Sequence, residues 1–379
     1  MRLPTMNHSP FPLVEISGTP FDRGLQYGQA VSQRIHKSIE IYSVQLLKMG
    51  YTWADIRGFA NEFVPSIEAF EPEYAQEMRG IAEGAGCDFE AIVLINARTE
   101  IIQLGRRKAR LPDPDGCTGA VILPTASAAN EVIHGQNWDW RAECAESAIV
   151  LKVLREDGPD VLTFTEAGGL ARNGLNSIGT AITANYLESE RDYTQVGVPL
   201  PFIRRKALEA AHFALSIKVV ATTAKSTSNN MMLSHAGGYA INFECAPDEV
   251  FPIQAEQGLL VHANHWQSPV ALGKLREAGL NSVPESLYRD VRVRQILSET
   301  PGQLTAEHLK KAFFDDFGTP WAVCRPPLSN MAGNLSATVA MVVMRPAKGL
   351  MEVAPLPAVN REFTAYSLAM EGDINRYLK

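Results

Sequence analysis

Pro112-Asp113-Pro114-Asp115-Gly116-Cys117-Thr118-Gly119-Ala120-Val121-Ile122 divides this chain into two kinds of sequence. Prolines and acids that cannot continue a helix give way, at a glycine and a cysteine, to small and β-branched residues that favour a strand. A cysteine that follows a glycine in such a segment becomes a new N-terminus if the preceding peptide bond opens. One residue then carries a thiol and a free α-amine, and an amine of pKa roughly 8 is a base tethered beside its own nucleophile. The plain alternative is a loop cysteine with no chemical role.

Upstream the pattern is helical. Thr19-Pro20-Phe21-Asp22 supplies an N-cap, a proline at the first helical position and an acid in the first turn, and predicts a helix to about Lys48. Thr52 is placed to cap a second helix, and 71–84 and 88–102 repeat the helical period with acids early in each. The period is lost between Gly105 and Gly116. Downstream it becomes that of strands, expected at 117–123, 131–140, 148–155, 161–166, 179–186, 231–234, 239–245, 249–253 and 259–265. Helices are expected near 201–215, after Ser216, at 285–297 and at 306–314, before a closing hairpin of 337–345 and 349–355. Runs of strands broken by helices, without strict βαβ alternation, predict an α+β protein with layered sheets.

The 379 residues carry 42 acids against 35 lysines and arginines, a formal charge of −7 that argues against a nucleic-acid surface. The basic run Arg106-Arg107-Lys108-Ala109-Arg110 is short and reads as a solvated loop. Apolar stretches such as 148–154 and 337–344 fall far below the roughly 20 residues of a membrane span. The first eleven residues have neither the basic start nor the apolar core of a secretory signal. Five dispersed cysteines, with no Cys-x-x-Cys pair, suggest neither a zinc site nor a disulfide framework. A cytoplasmic protein is the expectation.

Three polar clusters lie in strand-like surroundings. In Gly135-Gln136-Asn137-Trp138-Asp139-Trp140, alternation puts Asn137 and Asp139 on one face, where Asp139 can orient an amine. In Val261-His262-Ala263-Asn264-His265-Trp266, a strand would send the two histidines to opposite faces, which disfavours a shared metal, while Asn264 offers an amide for a tetrahedral oxyanion. In Trp321-Ala322-Val323-Cys324-Arg325, the arginine suits either Asp139 or a substrate carboxylate. Each has a structural alternative: a strand-end aspartate or asparagine, a surface ion pair. Aromatic side chains gathered in these clusters suit a flat or apolar acyl group, and Gln136, Trp140, Tyr186 and Trp266 are the candidate substrate-binding residues, with core packing the alternative for each tryptophan.

Taken together these motifs resemble the isopenicillin N acyltransferase family, the acyl-coenzyme A:aminopenicillanic acid acyltransferases within the N-terminal-nucleophile hydrolases. The resemblance runs through 18–21, Arg79-Gly80-Ile81-Ala82-Glu83-Gly84, Asp115-Gly116-Cys117-Thr118, 135–139, Thr165-Glu166-Ala167-Gly168, 174–177, 261–265 and Cys324-Arg325. It implies a four-layer αββα sandwich, self-cleavage between Gly116 and Cys117, Cys117 as nucleophile, Asp139 orienting its amine, Asn264 in the oxyanion hole and Arg325 completing the polar cluster. Segments 1–116 and 117–379 would remain associated as one integrated domain. Gly119 stands where fungal members carry a second threonine, and Trp140 and Trp266 where they carry smaller residues.

The leading reading is a self-cleaving amide-bond enzyme acting through a Cys117 thioester on a small-molecule amide or acyl substrate, with net hydrolysis preferred. It needs no cofactor and no metal. The alternatives are an N-acyltransferase that takes a coenzyme A thioester as substrate, and an unprocessed binding or scaffold protein. Homo-oligomerisation is compatible with each; a nucleic-acid or membrane partner is not expected.

Overall fold

The computed structural model describes residues 9–109, 116–329 and 335–371. The first stretch holds strand β1 (Leu13–Ile16) and helices α1 (Pro20–Ala30), α2 (Ser32–Lys48), α3 (Trp53–Phe70), α4 (Pro72–Ala85), α5 (Phe89–Asn96) and α6 (Arg98–Ala109). Thr19 caps α1 by accepting from the Asp22 amide at 3.3 Å, and Thr52 and Asp55 form a reciprocal capping box on α3. The helix expected over 20–48 is broken at Val31, where φ −136° and ψ 34° leave the helical region, and Ala97 likewise separates α5 from α6. The basic run begins on the last turn of α6 rather than in a loop; Arg110 and the acids up to Asp115 lie outside the described residues. Helices α1 and α4 cross backbone to backbone: a Cβ on Gly24 would stand 1.9 Å from Glu77 O, and one on Gly80 2.2 Å from Phe21 O. The 79–84 motif is thus a packing device.

The rest comprises β2 (Gly116–Ile122), β3 (Ile133–Arg141), β4 (Ala148–Val153), β5 (Val161–Glu166), β6 (Asn173–Asn176), β7 (Thr180–Tyr186), α7 (Leu200–Glu209), α8 (Phe213–Thr222), β8 (Asn229–His235), β9 (Tyr239–Cys245), β10 (Val250–Gln254) and β11 (Leu259–His262). These are followed by α9 (Pro269–Leu272), α10 (Ser286–Ser298), α11 (Ala306–Phe313), β12 (Leu328–Ser329), β13 (Leu335–Arg345), β14 (Leu350–Pro355) and β15 (Thr364–Ser367). An eight-stranded sheet runs β1-β4-β5-β6-β7-β8-β9-β10, and a seven-stranded sheet runs β11-β2-β3-β13-β14-β15 with β12 beside β13. Among the described strands every pairing is antiparallel except that of β1 with β4. The first segment is therefore not purely helical, because β1 is an edge strand of the eight-stranded sheet.

Strand alternation turns His134, Gln136 and Trp138 of β3 toward the eight-stranded sheet. His134 bonds Ser234 and Thr183 at 2.9 and 2.8 Å, and Trp138 meets Phe164 edge-on at 5.7 Å. The opposite face of the seven-stranded sheet packs Ile122, Ile133, Val261 and Val343 against Val293, Leu297, Leu309 and Phe313 of α10 and α11. The N-terminal helices with α7 and α8 form the other outer layer, bonded to the sheet by Asn176 Nδ2 to Leu208 O at 2.7 Å and Tyr27 Oη to Gly169 O at 3.1 Å. This is the four-layer αββα sandwich.

Buried ions hold α7 to the first segment. Glu77 receives Arg23 at 3.2 Å and Arg205 at 3.3 Å, and Glu209 receives Arg205 at 2.6 Å, Arg155 at 2.5 Å and the Tyr74 hydroxyl at 2.6 Å. Burial works against the Glu209 carboxylate, but the two guanidiniums and the hydroxyl prevail and hold its pKa down at about 2. Removing one member of such a buried set costs about 3–5 kcal/mol. A depressed carboxylate pKa gives stability that is complete above the ordinary value of 4.5 and is lost as pH falls through about 2. Glu209→Gln is accordingly expected to lower unfolding free energy by about 3–5 kcal/mol at pH 7, with the gap to the parent narrowing below pH 4.5; urea titrations at pH 7 and pH 3 measure both.

Candidate active site

β2 brings Cys117 directly opposite Trp138 of β3 and Gly116 opposite Asp139. Residues paired across a ladder share a face, so the Cys117 side chain lies on the inter-sheet side and Asp139 on the side of α10 and α11. On the other flank β11 ends at His262, short of the expected strand to His265. Leaving the ladder there lets Asn264 turn in toward β2. Its Oδ1 accepts from the Cys117 backbone N–H at 2.8 Å, its Nδ2 donates to Tyr186 O at 2.8 Å, and its own N–H donates to Ser286 Oγ at 2.7 Å. These partners fix which way the amide faces. The same exit stacks the His262 and His265 rings, 6.4 Å apart and inclined by 18°, instead of sending them to opposite faces. His262 Nε2 meets Glu244 Oε1 at 2.8 Å, and His265 Nδ1 meets Ser286 Oγ at 2.8 Å. Among the described residues no group of three or more His, Cys, Asp or Glu is gathered to hold a metal.

Arg289 of α10 completes the grip on Cys117. One Nη donates to Cys117 O at 2.7 Å and to Thr118 Oγ1 at 2.9 Å; the other donates to Asn264 Oδ1 at 2.7 Å. Burial and then the Arg325 charge lower its pKa, and no carboxylate hydrogen-bonds it directly among the described residues. A second buried cluster stands against Gly116. Arg325 Nε lies 3.1 Å from Asp139 Oδ2, close enough to pair although not aligned as a hydrogen bond, and Arg325 Nη2 donates to Glu285 Oε1 at 2.7 Å. Thr338 Oγ1 donates to Asp139 Oδ1 at 2.6 Å and accepts from Arg325 N at 2.8 Å. Burial raises the Asp139 pKa, opposed by Arg325, Arg289 and the threonine. A Cβ on Gly116 would stand 2.7 Å from Arg325 Nη2 and 3.0 Å from Asp139 Oδ2, so any side chain here would have to displace the buried Arg325–Asp139 pair.

Four candidates, Cys117, Asp139, Asn264 and Arg325, thus surround one peptide bond, with the nearest contacts differently shared from the expectation. Asn264 holds the Cys117 nitrogen through its oxygen and has one amide hydrogen engaged by Tyr186 O, while Asp139 abuts Gly116. The candidate substrate residues separate. Gln136 ties the sheets, donating to Ala184 O at 2.6 Å and Asn185 Oδ1 at 2.5 Å. Tyr186 lines the site at least through its carbonyl. Trp140 is buried on the thiol side of β3, with Arg98 5.1 Å above its ring. Trp266 packs elsewhere, with Leu187, Phe251 and Leu275, and donates to Glu188 O at 3.0 Å; its neighbour Asn264 faces the site because the chain turns between them. Arg289, Glu285 and Thr338 escaped sequence reading. Arg289 alone left a trace, an arginine in the buried phase of α10 with Ser286, Val293 and Leu297.

A cysteine at the start of an inner strand of an αββα sandwich, its backbone nitrogen held by a buried asparagine, is an arrangement suited to acyl-transfer chemistry. The family model described as acyl-coenzyme A:6-aminopenicillanic acid acyl-transferase matches residues 127–354. A curated relative, the acyl-coenzyme A:6-aminopenicillanic-acid-acyltransferase 40 kDa form of Emericella nidulans, is 30% identical over 319 residues, 82% of this chain and 84% of its own. The chain belongs to this acyltransferase family. Solved structures with similarity include a conjugated bile acid hydrolase from Clostridium perfringens (14% identity, TM-score 0.46, covering 68% of this chain and 94% of that one) and a penicillin V acylase from Agrobacterium tumefaciens (14%, 0.45, 66% and 86%).

The fit at Gly116 yields a direct test. Gly116→Ala forces the methyl against Arg325 and Asp139 and is expected to slow any cleavage of the 116–117 bond at least tenfold, or roughly 1.4 kcal/mol of barrier, followed by intact mass against incubation time.

Proposed function

We propose that this protein is a self-processing cysteine N-terminal-nucleophile enzyme, which opens its own Gly116–Cys117 bond and then carries acyl groups on the Cys117 thiol, with water the ordinary acceptor. The supporting observation is that a single peptide bond is gripped on both sides by buried polar groups: Asn264 and Arg289 hold Cys117, and Arg325 with Asp139 stands against Gly116. In processing, Cys117 Sγ attacks the Gly116 carbonyl carbon, the C–N bond breaks, and the nitrogen takes a proton to become an amine. Water then hydrolyses the Gly116 thioester, giving a carboxylate and the free thiol. In turnover the amine, still facing Asn264 Oδ1, accepts the thiol proton as sulfur attacks a substrate amide. That proton leaves with the departing amine, and water or a second amine cleaves the thioester.

Buried ties between the segments, Glu77 to Arg205 and Arg98 Nε to Glu166 Oε1 at 2.8 Å among them, support continued association of 1–116 with 117–379 after the cut. A second reading is acyl transfer from a coenzyme A thioester, favoured by the family description and the 30% identical relative. Transfer requires the amine to outrun roughly 55 M water, hence a bound acceptor of high effective molarity.

Denatured intact-mass analysis is expected to find fragments 1–116 and 117–379, and Cys117→Ala only the uncut, inactive chain; normal turnover by Cys117→Ala would overturn the proposal. Asn264→Ala, which removes both the acceptor for the Cys117 nitrogen and an amide N–H that can donate to a tetrahedral oxyanion, is expected to reduce turnover by roughly 10²–10³. Partition of an acyl thioester between water and a panel of amines separates the two readings: dominant transfer at micromolar amine selects the transferase.

A further inference from the structure

Arg204 and Arg205 are consecutive on α7 and both buried, yet the fold treats them differently. Arg205 is saturated by Glu209 at 2.6 Å, Leu170 O at 3.2 Å and Glu77 at 3.3 Å. Arg204 is 7% exposed, its Nε is buried without a partner, and its guanidinium makes no hydrogen bond or ion pair among the described residues. Burial and the neighbouring Arg98 charge lower its pKa to about 10. A buried cation left in this state is destabilising unless something outside the resting fold meets it.

The nearby carboxylates do not supply that partner. Glu166 is committed to Arg98, to both sides of the Arg172 fork at 2.9 Å and to the Tyr42 hydroxyl. Glu100 gives one oxygen to the Leu200 N–H at 3.0 Å, and burial pushes its carboxyl toward the neutral form. The surroundings are instead rich in donors. Arg98, which repels Arg204, lies over the ring of Trp140, and the Trp140 indole N–H is itself buried without an acceptor. Cys117 lies near enough to act on the Arg204 charge, while Trp140 lies two residues beyond Trp138, the ladder partner of Cys117. A guanidinium whose Nε is buried without a partner and whose outer nitrogens solvent still reaches, and an indole N–H buried without an acceptor among the described residues, therefore lie on the thiol side of the site.

We propose that Arg204 is a specificity residue that binds a carboxylate on the substrate beside Cys117, with the Trp140 indole N–H as a second donor, so that this enzyme selects acidic acyl compounds over their neutral counterparts. The inference rests on Cys117 being the reactive thiol of the function proposed above. A planar guanidinium pairs bidentately with a carboxylate, and a low-dielectric site strengthens that pair. The carboxylate belongs either to the acyl group or to the departing amine, two sources that matched substrates distinguish.

Alkylation of Cys117 tests the site without knowledge of the substrate. Iodoacetate and iodoacetamide differ in little but the carboxylate, and their rate ratio at Cys117, read by peptide mass spectrometry and normalised to free cysteine, is expected to favour iodoacetate on the order of 10- to 100-fold. Arg204→Leu is expected to abolish the preference and Arg204→Lys to keep part of it. Arg204→Leu also removes a buried unpaired charge, so its Tm is expected to equal or exceed that of the parent, whereas a structural arginine would lose stability on replacement. A ratio that is the same in the parent and in Arg204→Leu overturns the proposal, as does a lowered Tm with the preference retained. Failure of both reagents to label Cys117 removes the reactive-thiol reading and this one with it. Where amides are turned over, N-acyl amino acids and monoamides of dicarboxylic acids, each against its carboxamide, locate the acid: the kcat/KM ratio of acid to carboxamide collapses in Arg204→Leu for the series whose carboxylate it binds, and a ratio unchanged in both series overturns the proposal.

Discussion

The hydrogen bond from the Cys117 backbone nitrogen to Asn264 Oδ1 is the contact on which the site's geometry turns. It joins the second strand of one sheet to a chain that has just left the neighbouring strand, and Arg289 locks it by binding both the same oxygen and the Cys117 carbonyl. A buried guanidinium satisfied by neutral oxygens stays charged only if countercharge lies close by. Asp139 and Glu285 provide it, yet both are positioned through Arg325 rather than through Arg289. Two cations and two carboxylates thus form one buried set that is balanced as a whole. Networks of this kind are rigid when complete and costly when broken, which suits a site that must hold a single peptide bond in one geometry.

Strands in the second half were legible because their period and turn residues agree, and the expected 239–245 strand matches β9 residue for residue. β6 was not legible: Asn173-Gly174-Leu175-Asn176 is buried throughout, so no inside-outside alternation marks it. β1 was missed for another reason, since four residues pressed between prolines and a helix cap carry too little pattern to be read. The place of the candidate site was legible where a residue type stands next to an informative neighbour, as with Gly116-Cys117 and Asp139, which the ladder brings together. It was illegible where position depends on where the backbone turns. Asn264 and Trp266 are two residues apart, yet the exit from β11 sends one to Cys117 and the other to a separate apolar cluster.

The arginines carry the sharper lesson. Arg289, Arg204 and Arg205 sit on helices that display several cations, and sequence periodicity assigns a buried phase without saying what meets a charge there. Two of the three find their acceptors within the fold, whereas Arg204 meets none among the described residues.

The parallel pairing of β1 with β4, Leu13–Ile16 against Val150–Val153, joins residues on opposite sides of the 116–117 bond within one sheet. In the intact chain that pairing is intramolecular and forms at a rate independent of protein concentration. In an opened chain it becomes an association between two polypeptides, so refolding acquires second-order kinetics and a midpoint that shifts with dilution. Longevity of the cut molecule would then rest on the height of its unfolding barrier rather than on a return to the folded state, and the age of a preparation would enter its behaviour alongside temperature and pH.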